Sequence, residues 1–376
     1  MSIIGVLTAG GDCPGLNAVI RGVTARAAYR GDSEVVGILN GWEGLMDGRT
    51  RPLNRDAVRG ILGRGGTILG TSRKYPIVHG DGYPSVKRTL EANDLDVVVV
   101  IGGDGTLRTA LRLAEDGFPV VGVPKTIDND IASTDFTFGF DTAVQIATDA
   151  IDRLTTTAEA HNRVILVEVM GRTKGWIATY AGLAGGADAI LIPEYPVPLE
   201  EVATLLRRRH RHGKAYSIVV VAEGVEPPAK TEHAKDIFGF DRLGGVAYQI
   251  APVLEELTGF ETRVTVLGHL QRGGTPTAFD RVLATRLGAA AADLAADGKR
   301  GVMVALQGTR IVEVPLAAAV GEPRGVDPEL FAVARSYPAY VRFSGPGPDV
   351  PADIRDVGFA SMAEYLERAG FRWLEA

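Results

Sequence analysis

Two carboxylates stand two residues apart in a short polar stretch that follows an apolar run. Residues 124–130 read PKTIDND, directly after the run that begins at Val120. One carboxylate of such a pair can accept a proton from a hydroxyl group while the other binds or orients a metal ion. Aspartates at such positions can also serve only as helix caps. We favour catalysis by Asp128 and Asp130, because two further polar loops are predicted beside them.

Two glycine-rich stretches have the composition of phosphate-binding loops. Residues 8–15 read TAGGDCPG, and residues 102–106 read GGDGT. Backbone N–H groups in such turns can hold phosphate, and a carboxylate such as Asp104 can hold Mg²⁺ on a nucleotide phosphate. The first stretch lacks the Lys-Ser/Thr ending of a P-loop, and an ordinary turn explains it equally well. For the second stretch, the alternative is a tight turn in which Asp104 is a cap.

All three stretches follow predicted strands. The segments 3–7, 96–101 and 120–123 are rich in β-branched residues, and each runs into one of the three stretches. Helical patterns separate them, which is typical of parallel βαβ units and of the α/β class. Ligands of open α/β sheets bind beyond the carboxyl ends of the strands. We therefore predict that the three loops converge on one site.

A second series of alternating helices and strands begins near Asp141 and predicts a second α/β domain. Guanidinium groups hold phosphate well, and a carboxylate can accept hydrogen bonds from sugar hydroxyls. The candidate groups for such a phosphorylated, hydroxylated substrate are Arg163, Arg172, Glu223, Arg263, His269 and Arg272. Each arginine taken alone is equally compatible with a solvated surface position.

The composition excludes other classes of protein. The 376 residues are 45% hydrophobic and 23% charged, as in a globular protein of about two domains. The net charge of −6 argues against general nucleic-acid binding, and the longest apolar run, residues 97–101, is too short for a membrane span. One cysteine and no signal-peptide pattern lead us to expect a cytoplasmic protein. The six histidines lack zinc-site spacing, so Mg²⁺ is the expected metal.

Taken together, these motifs resemble the 6-phosphofructokinase family. The resemblance runs in order over about residues 1–310, through segments 10–12, 102–106, 124–130, 170–172, 223–224 and 267–274. It implies two Rossmann-like three-layer domains with mainly parallel sheets. The phosphoryl donor is expected on residues 1–139 plus about 252–302, and fructose 6-phosphate on about 140–251 plus 303–376. The resemblance also implies a homodimer or homotetramer with shared active sites.

The resemblance also assigns roles to individual residues. It implies that Asp128 takes the proton of the sugar 1-hydroxyl, that Asp130 is its companion, and that Asp104 is the Mg²⁺ site. Arg73 and Arg172 are expected to neutralise charge on the transferred phosphoryl group. The residues expected around the donor are Gly11, Arg73, Lys74, Gly103, Asp104, Gly105, Thr106, Lys125 and Thr126. The residues expected around the sugar phosphate are Thr126, Asp128, Met170, Gly171, Arg172, Glu223, His269 and Arg272. Arg163 and Arg263 resemble arginines that a neighbouring subunit contributes.

Two residues bear on the donor and disagree. Family members that use ATP carry glycine where this chain has Gly105, because a side chain there would fill the space of the nucleotide. Members that use pyrophosphate carry lysine where this chain has Lys125. We favour ATP, since a lysine beside phosphates serves either donor. Reversible, pyrophosphate-dependent transfer to the same sugar is the alternative, and a non-catalytic subunit that binds sugar phosphate or nucleotide is a third hypothesis.

Overall fold

The computed structural model describes residues 1–336 except Arg73, His79 and residues 229–242. The chain divides into two compact units. The first comprises Met1–Ala143 and His269–Arg324, and the second comprises Val144–Gly268 and Gly325–Ala376. The chain therefore passes from one unit to the other more than once.

The described residues form strands and helices that alternate along most of the chain. The strands are β1 (Ser2–Thr8), β2 (Ser33–Ile38), β3 (Thr50–Leu53), β4 (Val97–Gly102), β5 (Val120–Thr126), β6 (Phe138–Gly139), β7 (Val164–Val169), β8 (Ala189–Leu191), β9 (Ser217–Ala222), β10 (Thr262–Val266), β11 (Val302–Gln307) and β12 (Arg310–Pro315). The helices are α1 (Leu16–Arg30), α2 (Gly41–Asp47), α3 (Gly82–Ala92), α4 (Asp104–Glu115), α5 (Phe140–His161), α6 (Trp176–Ala184), α7 (Leu199–Arg211), α8 (Val246–Thr258), α9 (Ala278–Ala296), α10 (Leu316–Ala319) and α11 (Pro328–Ser336).

The first unit is built on one eight-stranded sheet. Its strand order is β12-β11-β5-β4-β1-β2-β3, with β6 paired to β5, and only the outer pairs β2–β3 and β11–β12 are antiparallel. Every residue of β4 is buried, as expected for a parallel strand that is covered on both faces. β1, β4 and β5 lie side by side and run parallel, so their carboxyl ends share one edge of the sheet. That edge carries the three loops that the sequence singled out.

The second unit contains a smaller sheet of four parallel strands in the order β10-β7-β9-β8. β7 and β9 are buried along their whole length and form the centre of this sheet. Apolar side chains of α7 and α8 pack with the sheet in one hydrophobic core, for example Leu206 and Leu254. The predicted α/β class with mainly parallel sheets is confirmed in both units.

The boundaries of the two units differ from those expected from the sequence. β11 pairs with β5, so residues 303–315 continue the first sheet and do not belong with the sugar-phosphate domain. β10 pairs with β7, so the segment before His269 belongs to the second unit. These pairings join strands that are far apart in the chain, which explains why the sequence pattern did not show them.

The residue pattern predicts helices at 330–337 and 360–373, in the segment after Ile311. This segment continues as α10 and then as α11, which covers most of the first predicted helix. The second predicted helix lies outside the described residues. In the part of the chain that the structure describes, no helix combines the length and the apolar character that crossing a bilayer requires.

Candidate active site

The loop after β5, residues 126–130, holds its two carboxylates in a buried turn. The side chains of Asp128 and Asp130 are only 5% and 8% exposed. The Thr126 hydroxyl donates to Oδ2 of Asp128 at 3.1 Å, and the Asp128 N–H donates to Oγ1 of Thr126 at 3.0 Å. Asn129 adopts a left-handed backbone conformation with φ 52°, and its Oδ1 accepts from the Thr137 N–H at 3.0 Å. Local hydrogen bonds therefore fix these residues, which we call the catalytic loop after the role that the sequence predicts for them.

The two glycine-rich loops lie against the catalytic loop, as the parallel strand order predicts. A Cβ placed on Gly103 would lie 3.2 Å from the carbonyl oxygen of Lys125. A Cβ on Gly10 would lie 3.2 Å from Oγ1 of Thr106. The Lys125 ammonium donates to the carbonyl oxygen of Gly11. The three loops thus converge at one edge of the first sheet.

Two cations lie at the first glycine loop. Lys125 is buried, and this burial lowers the pKa of its ammonium group. The guanidinium of Arg272 lies so close to Gly11 that a Cβ there would overlap it. Nε of Arg272 is buried and has no hydrogen-bond partner among the described residues. The buried Lys125 and the partly buried Arg272, beside backbone N–H groups, make this loop suitable for an anion such as phosphate.

Asp104 begins α4 and is the candidate metal ligand. Both of its carboxylate oxygens accept from Nε of Arg108 at 2.9 Å, and the carboxylate is about a third exposed. Within the described ranges, no group of three or more His, Cys, Asp or Glu side chains could hold a metal ion. Mg²⁺ usually binds through one or two carboxylates plus phosphate oxygens and water. The residues therefore fit a metal that arrives with the donor.

The surroundings of Gly105 are open. The nearest atom to a Cβ placed there is the hydroxyl oxygen of Tyr75, at 3.6 Å. A side chain longer than alanine would extend into that space. Lys74 lies nearby in the chain and pairs with Glu43, and this hydrogen bond lowers the pKa of the Glu43 carboxyl. Arg73, which the sequence placed at the donor, lies outside the described residues.

In the second unit, Glu223 and the loop after β7 form one cluster. Oε1 of Glu223 accepts from the N–H groups of Gly171 and Arg172, at 3.2 and 2.9 Å. Gly171 has φ 141°, and a Cβ there would lie 2.5 Å from the carbonyl oxygen of Lys174, so the loop requires glycine. Met170 is buried at the start of this loop. The structure thus brings Met170, Gly171, Arg172 and Glu223 together.

Arg163 and Arg263 lie at the other end of the same sheet. Arg163 precedes β7, whereas Met170 follows it, and the six residues of β7 span roughly 20 Å. Arg263 is in register with Ile165, near the start of β7. Both arginines pair with Glu261, and the bond from Arg163, at 2.7 Å, lowers the pKa of that carboxyl. Within the second unit, this arginine pair is remote from the Met170 loop.

His269 and Arg272 belong to the first unit, although the sequence grouped them with the sugar-phosphate residues of the second. They lie on a 3-10 helix, Gly268–Arg272, where His269 is exposed and Arg272 contacts the glycine loop. The contact of Arg272 with Gly11 joins residues that are far apart in the chain, so no local sequence pattern predicts it.

Sequence reasoning missed two arginines. Arg108 pairs with Asp104 at an i,i+4 spacing, which the sequence could have revealed. Arg324 donates from its backbone N–H to the carbonyl oxygen of Asp130 at 2.8 Å. No sequence signal marks this contact, because it joins the end of the first unit to a loop almost two hundred residues earlier.

Comparison with known proteins agrees with this arrangement. A family model described as Phosphofructokinase matches residues 3–295. The chain belongs to the phosphofructokinase family. A solved relative, the phosphofructokinase of Pichia pastoris in the T-state, superposes with a TM-score of 0.76 at 34% identity. The match covers 89% of this chain and 38% of the Pichia chain. The phosphofructokinase fold and the family resemblance are therefore both confirmed.

Two relatives within this family differ in their named donor. The chain is 54% identical to the pyrophosphate–fructose 6-phosphate 1-phosphotransferase of Amycolatopsis methanolica, over 89% of this chain and 99% of that protein. It is 55% identical to the ATP-dependent 6-phosphofructokinase of Mycobacterium tuberculosis, over 84% of this chain and 94% of that protein. These identities are nearly equal, so overall similarity does not separate the two donors.

Proposed function

We propose that this protein is an ATP-dependent 6-phosphofructokinase, which transfers the γ-phosphoryl group of ATP to the 1-hydroxyl of fructose 6-phosphate. The products are fructose 1,6-bisphosphate and ADP, as in glycolysis. The observation that carries the proposal is the convergence of the Asp128 loop with two glycine loops and the cations of Lys125 and Arg272 at one sheet edge. We place the reaction in the cytoplasm.

In this proposal, Asp128 is the general base. It takes the proton of the sugar 1-hydroxyl as that oxygen bonds to the γ-phosphorus, and the electron pair of the breaking P–O bond stays on ADP. The hydroxyl of Thr126 holds the carboxylate of Asp128 in place through its 3.1 Å hydrogen bond. Positioning of this kind contributes to rate because the reacting atoms are already aligned.

Positive charge around the phosphates would stabilise the transition state. Lys125 and Arg272 flank the carbonyl and Cα of Gly11, where the donor phosphates would lie. Asp104 would hold Mg²⁺ on the donor, and Arg108 would have to release that carboxylate first. When bound, the metal supplies positive charge on phosphate oxygens. Arg172 and Arg73 are assigned to the same charge by the family resemblance.

The open space at Gly105 supports ATP as the donor, because a nucleotide needs room that pyrophosphate does not. Lys125 supports pyrophosphate as the second candidate, since its ammonium lies at the phosphate loop. We favour ATP, because a lysine at that position can contact the phosphates of either donor.

For the sugar phosphate, we propose the Met170–Arg172 loop and Glu223 as the binding region. Arg163 and Arg263 lie at the far end of their own sheet, which supports a role at the active site of a neighbouring copy. The enzyme would then be a homodimer or homotetramer, and an isolated subunit would be poorly active.

The proposal is tested by an Asp128→Asn variant, with Asp94→Asn as the matched control. Asp94 also has a positive φ, of 49°, and lies just before β4, at the sheet edge opposite the catalytic loop. We expect Asp128→Asn to lower kcat by about 10³-fold while fructose 6-phosphate still binds, because general-base catalysis contributes about 10²- to 10⁴-fold. Asp94→Asn should keep kcat within about twofold. Turnover by Asp128→Asn within a few-fold of the unchanged protein would contradict the assigned base.

A further inference from the structure

The segment that follows β12 lies on the first unit although no sequence motif gave it a role. We call residues 316–324 the C-terminal strap. Leu316 is fully buried, and its Cδ2 would lie 2.9 Å from a Cβ placed on Gly122 of β5. β5 is the strand whose end carries the catalytic loop. The strap therefore packs in the core against β5, the strand that leads into the catalytic loop.

Two hydrogen bonds tie the middle of the strap to active-site elements. The Ser133 hydroxyl donates to the carbonyl oxygen of Ala318 at 3.0 Å, and Ser133 itself has φ 65°. Nη2 of Arg108 donates to the carbonyl oxygen of Gly321 at 3.2 Å, while its Nε binds the candidate metal ligand Asp104. The strap thus contacts the segment that follows the catalytic loop and the helix that begins with Asp104.

The end of the strap binds the catalytic loop most extensively, through Arg324. Its backbone N–H donates to the carbonyl oxygen of Asp130 at 2.8 Å. Its guanidinium Nη2 donates to the carbonyl oxygens of Asp135 at 2.6 Å and of Asn129 at 3.4 Å. One residue therefore binds three carbonyls, two within the turn that presents Asp128 and Asp130 and one further along the chain.

The backbone conformation of that turn explains why it needs the hydrogen bonds from Arg324. Asn129 and Ser133 both have positive φ values, of 52° and 65°, which side-chain-bearing residues seldom adopt. Backbone conformations of this kind persist only when the surrounding structure holds them. The bonds from Arg324 to the carbonyls of residues 129, 130 and 135 provide part of that support.

From these contacts, we propose that Arg324 is a positioning residue for catalysis, which holds the Asp128–Asp130 turn in its reactive geometry. This inference rests on the proposed function, because it assigns Arg324 to the loop that carries the general base. Arg324 acts through the backbone of the loop, so its loss should impair the chemical step more than substrate binding.

The test compares Arg324→Ala with Arg300→Ala. Arg300 is a matched control because its guanidinium also donates to backbone carbonyls of the first unit, including that of Asp96 at 2.9 Å. Asp96 precedes β4, at the sheet edge opposite the catalytic loop. We expect Arg324→Ala to lower kcat by about 10- to 100-fold, as small misplacements of catalytic groups do, with KM for fructose 6-phosphate changed less than about threefold. Arg300→Ala should leave both constants within about twofold.

Hydrogen–deuterium exchange provides a readout that does not depend on activity. In Arg324→Ala, amides of residues 127–137 should exchange at least about tenfold faster, while those of β4 stay unchanged. Arg324→Lys, which can still reach one carbonyl, should recover part of both effects and serves as the test if the alanine variant fails to fold. Unchanged exchange in the loop, or an equal loss of kcat in Arg300→Ala, would overturn the inference. If the unchanged protein forms no product, the proposed function fails, and the exchange result still tests whether Arg324 holds the turn.

Discussion

The catalytic loop of the first unit and the arginine pair of the second unit differ in what surrounds them. Asp128 is buried and is held by Thr126 within the same loop. Arg163 and Arg263 are partly or largely exposed, and both pair with the surface carboxylate of Glu261. The first arrangement is preorganised inside one chain. The second consists of surface ion pairs, which contribute little stability and are easily exchanged for another anion.

This difference separates two kinds of functional residue. The groups that we propose for the chemistry lie at the carboxyl ends of central strands, where neighbouring loops fix them. The groups that we propose for the active site of another copy would have to remain accessible, so their own subunit would hold them only weakly.

The largest effect is expected from Gly105→Asp on the preorganised side. A carboxylate there would enter the open space next to Tyr75 and would fill room that a nucleotide needs and pyrophosphate does not. We expect turnover with ATP to fall by at least about 10³-fold, comparable to the loss of a major electrostatic contribution. Pyrophosphate use should be spared or improved. Steady-state rates with each donor check this, and full ATP activity in the variant would refute the role given to Gly105.

Arg163→Ala alters the arginine pair of the second unit. Because we propose that this guanidinium binds the sugar phosphate, its loss should raise KM for fructose 6-phosphate by about 10- to 100-fold, since charge-assisted hydrogen bonds contribute about 1.5–3 kcal/mol. The fold of the subunit should be unaffected, because the ion pair with Glu261 is partly exposed to solvent and contributes little stability.

Mixed oligomers sharpen this prediction. If Arg163 serves a neighbouring copy, co-expression of Arg163→Ala with Asp128→Asn restores some sites in which both residues are intact. Activity above that of either variant alone is the expected result. A mixture no more active than its two components would show that each chain uses its own Arg163.

A smaller effect is expected on the pH dependence of stability, through the buried carboxyl of Asp280. Asp280 is fully buried, and burial raises the pKa of its carboxyl from 3.8 to about 6. Its Oδ2 accepts from the N–H and hydroxyl of Thr142, at 2.8 and 2.5 Å. Because its pKa is higher in the folded state, protonated Asp280 favours folding. This contribution to the free energy of unfolding is lost as the pH rises from about 3.8 through about 6.

Asp280→Asn keeps an acceptor for Thr142 but cannot ionise. Relative to the variant, the unchanged protein should therefore lose on the order of 2 kcal/mol in free energy of unfolding between pH 4.5 and 7. Urea unfolding at several pH values measures this difference. Parallel pH profiles for the two proteins would show that Asp280 does not titrate in this range.

The smallest effect is expected for the reaction of Cys13, in the first glycine loop, with a thiol reagent. The thiol is buried, and its burial raises the pKa well above the usual range. We expect less than one tenth of Cys13 to react with a thiol reagent at pH 8 in the native enzyme, and complete reaction after unfolding. Rapid labelling of the native protein would contradict this placement.

The sequence predicted the parts of the site that follow from strand order. Three apolar segments followed by polar loops imply a shared edge, because parallel strands end on the same side of a sheet. The pairing of β11 with β5 and the contacts of Arg272 and Arg324 were beyond such reasoning. Each joins segments more than a hundred residues apart, and their packing leaves no periodic pattern in the sequence.

The most direct test of the account is formation of fructose 1,6-bisphosphate by the purified protein, from fructose 6-phosphate and Mg²⁺ with ATP or pyrophosphate in parallel. The account predicts product with ATP and at most a trace with pyrophosphate. Product with pyrophosphate alone would mean that Lys125 decides the donor despite the open space at Gly105. Product with neither donor would contradict the central claim that the Asp128 loop transfers a phosphoryl group to this sugar.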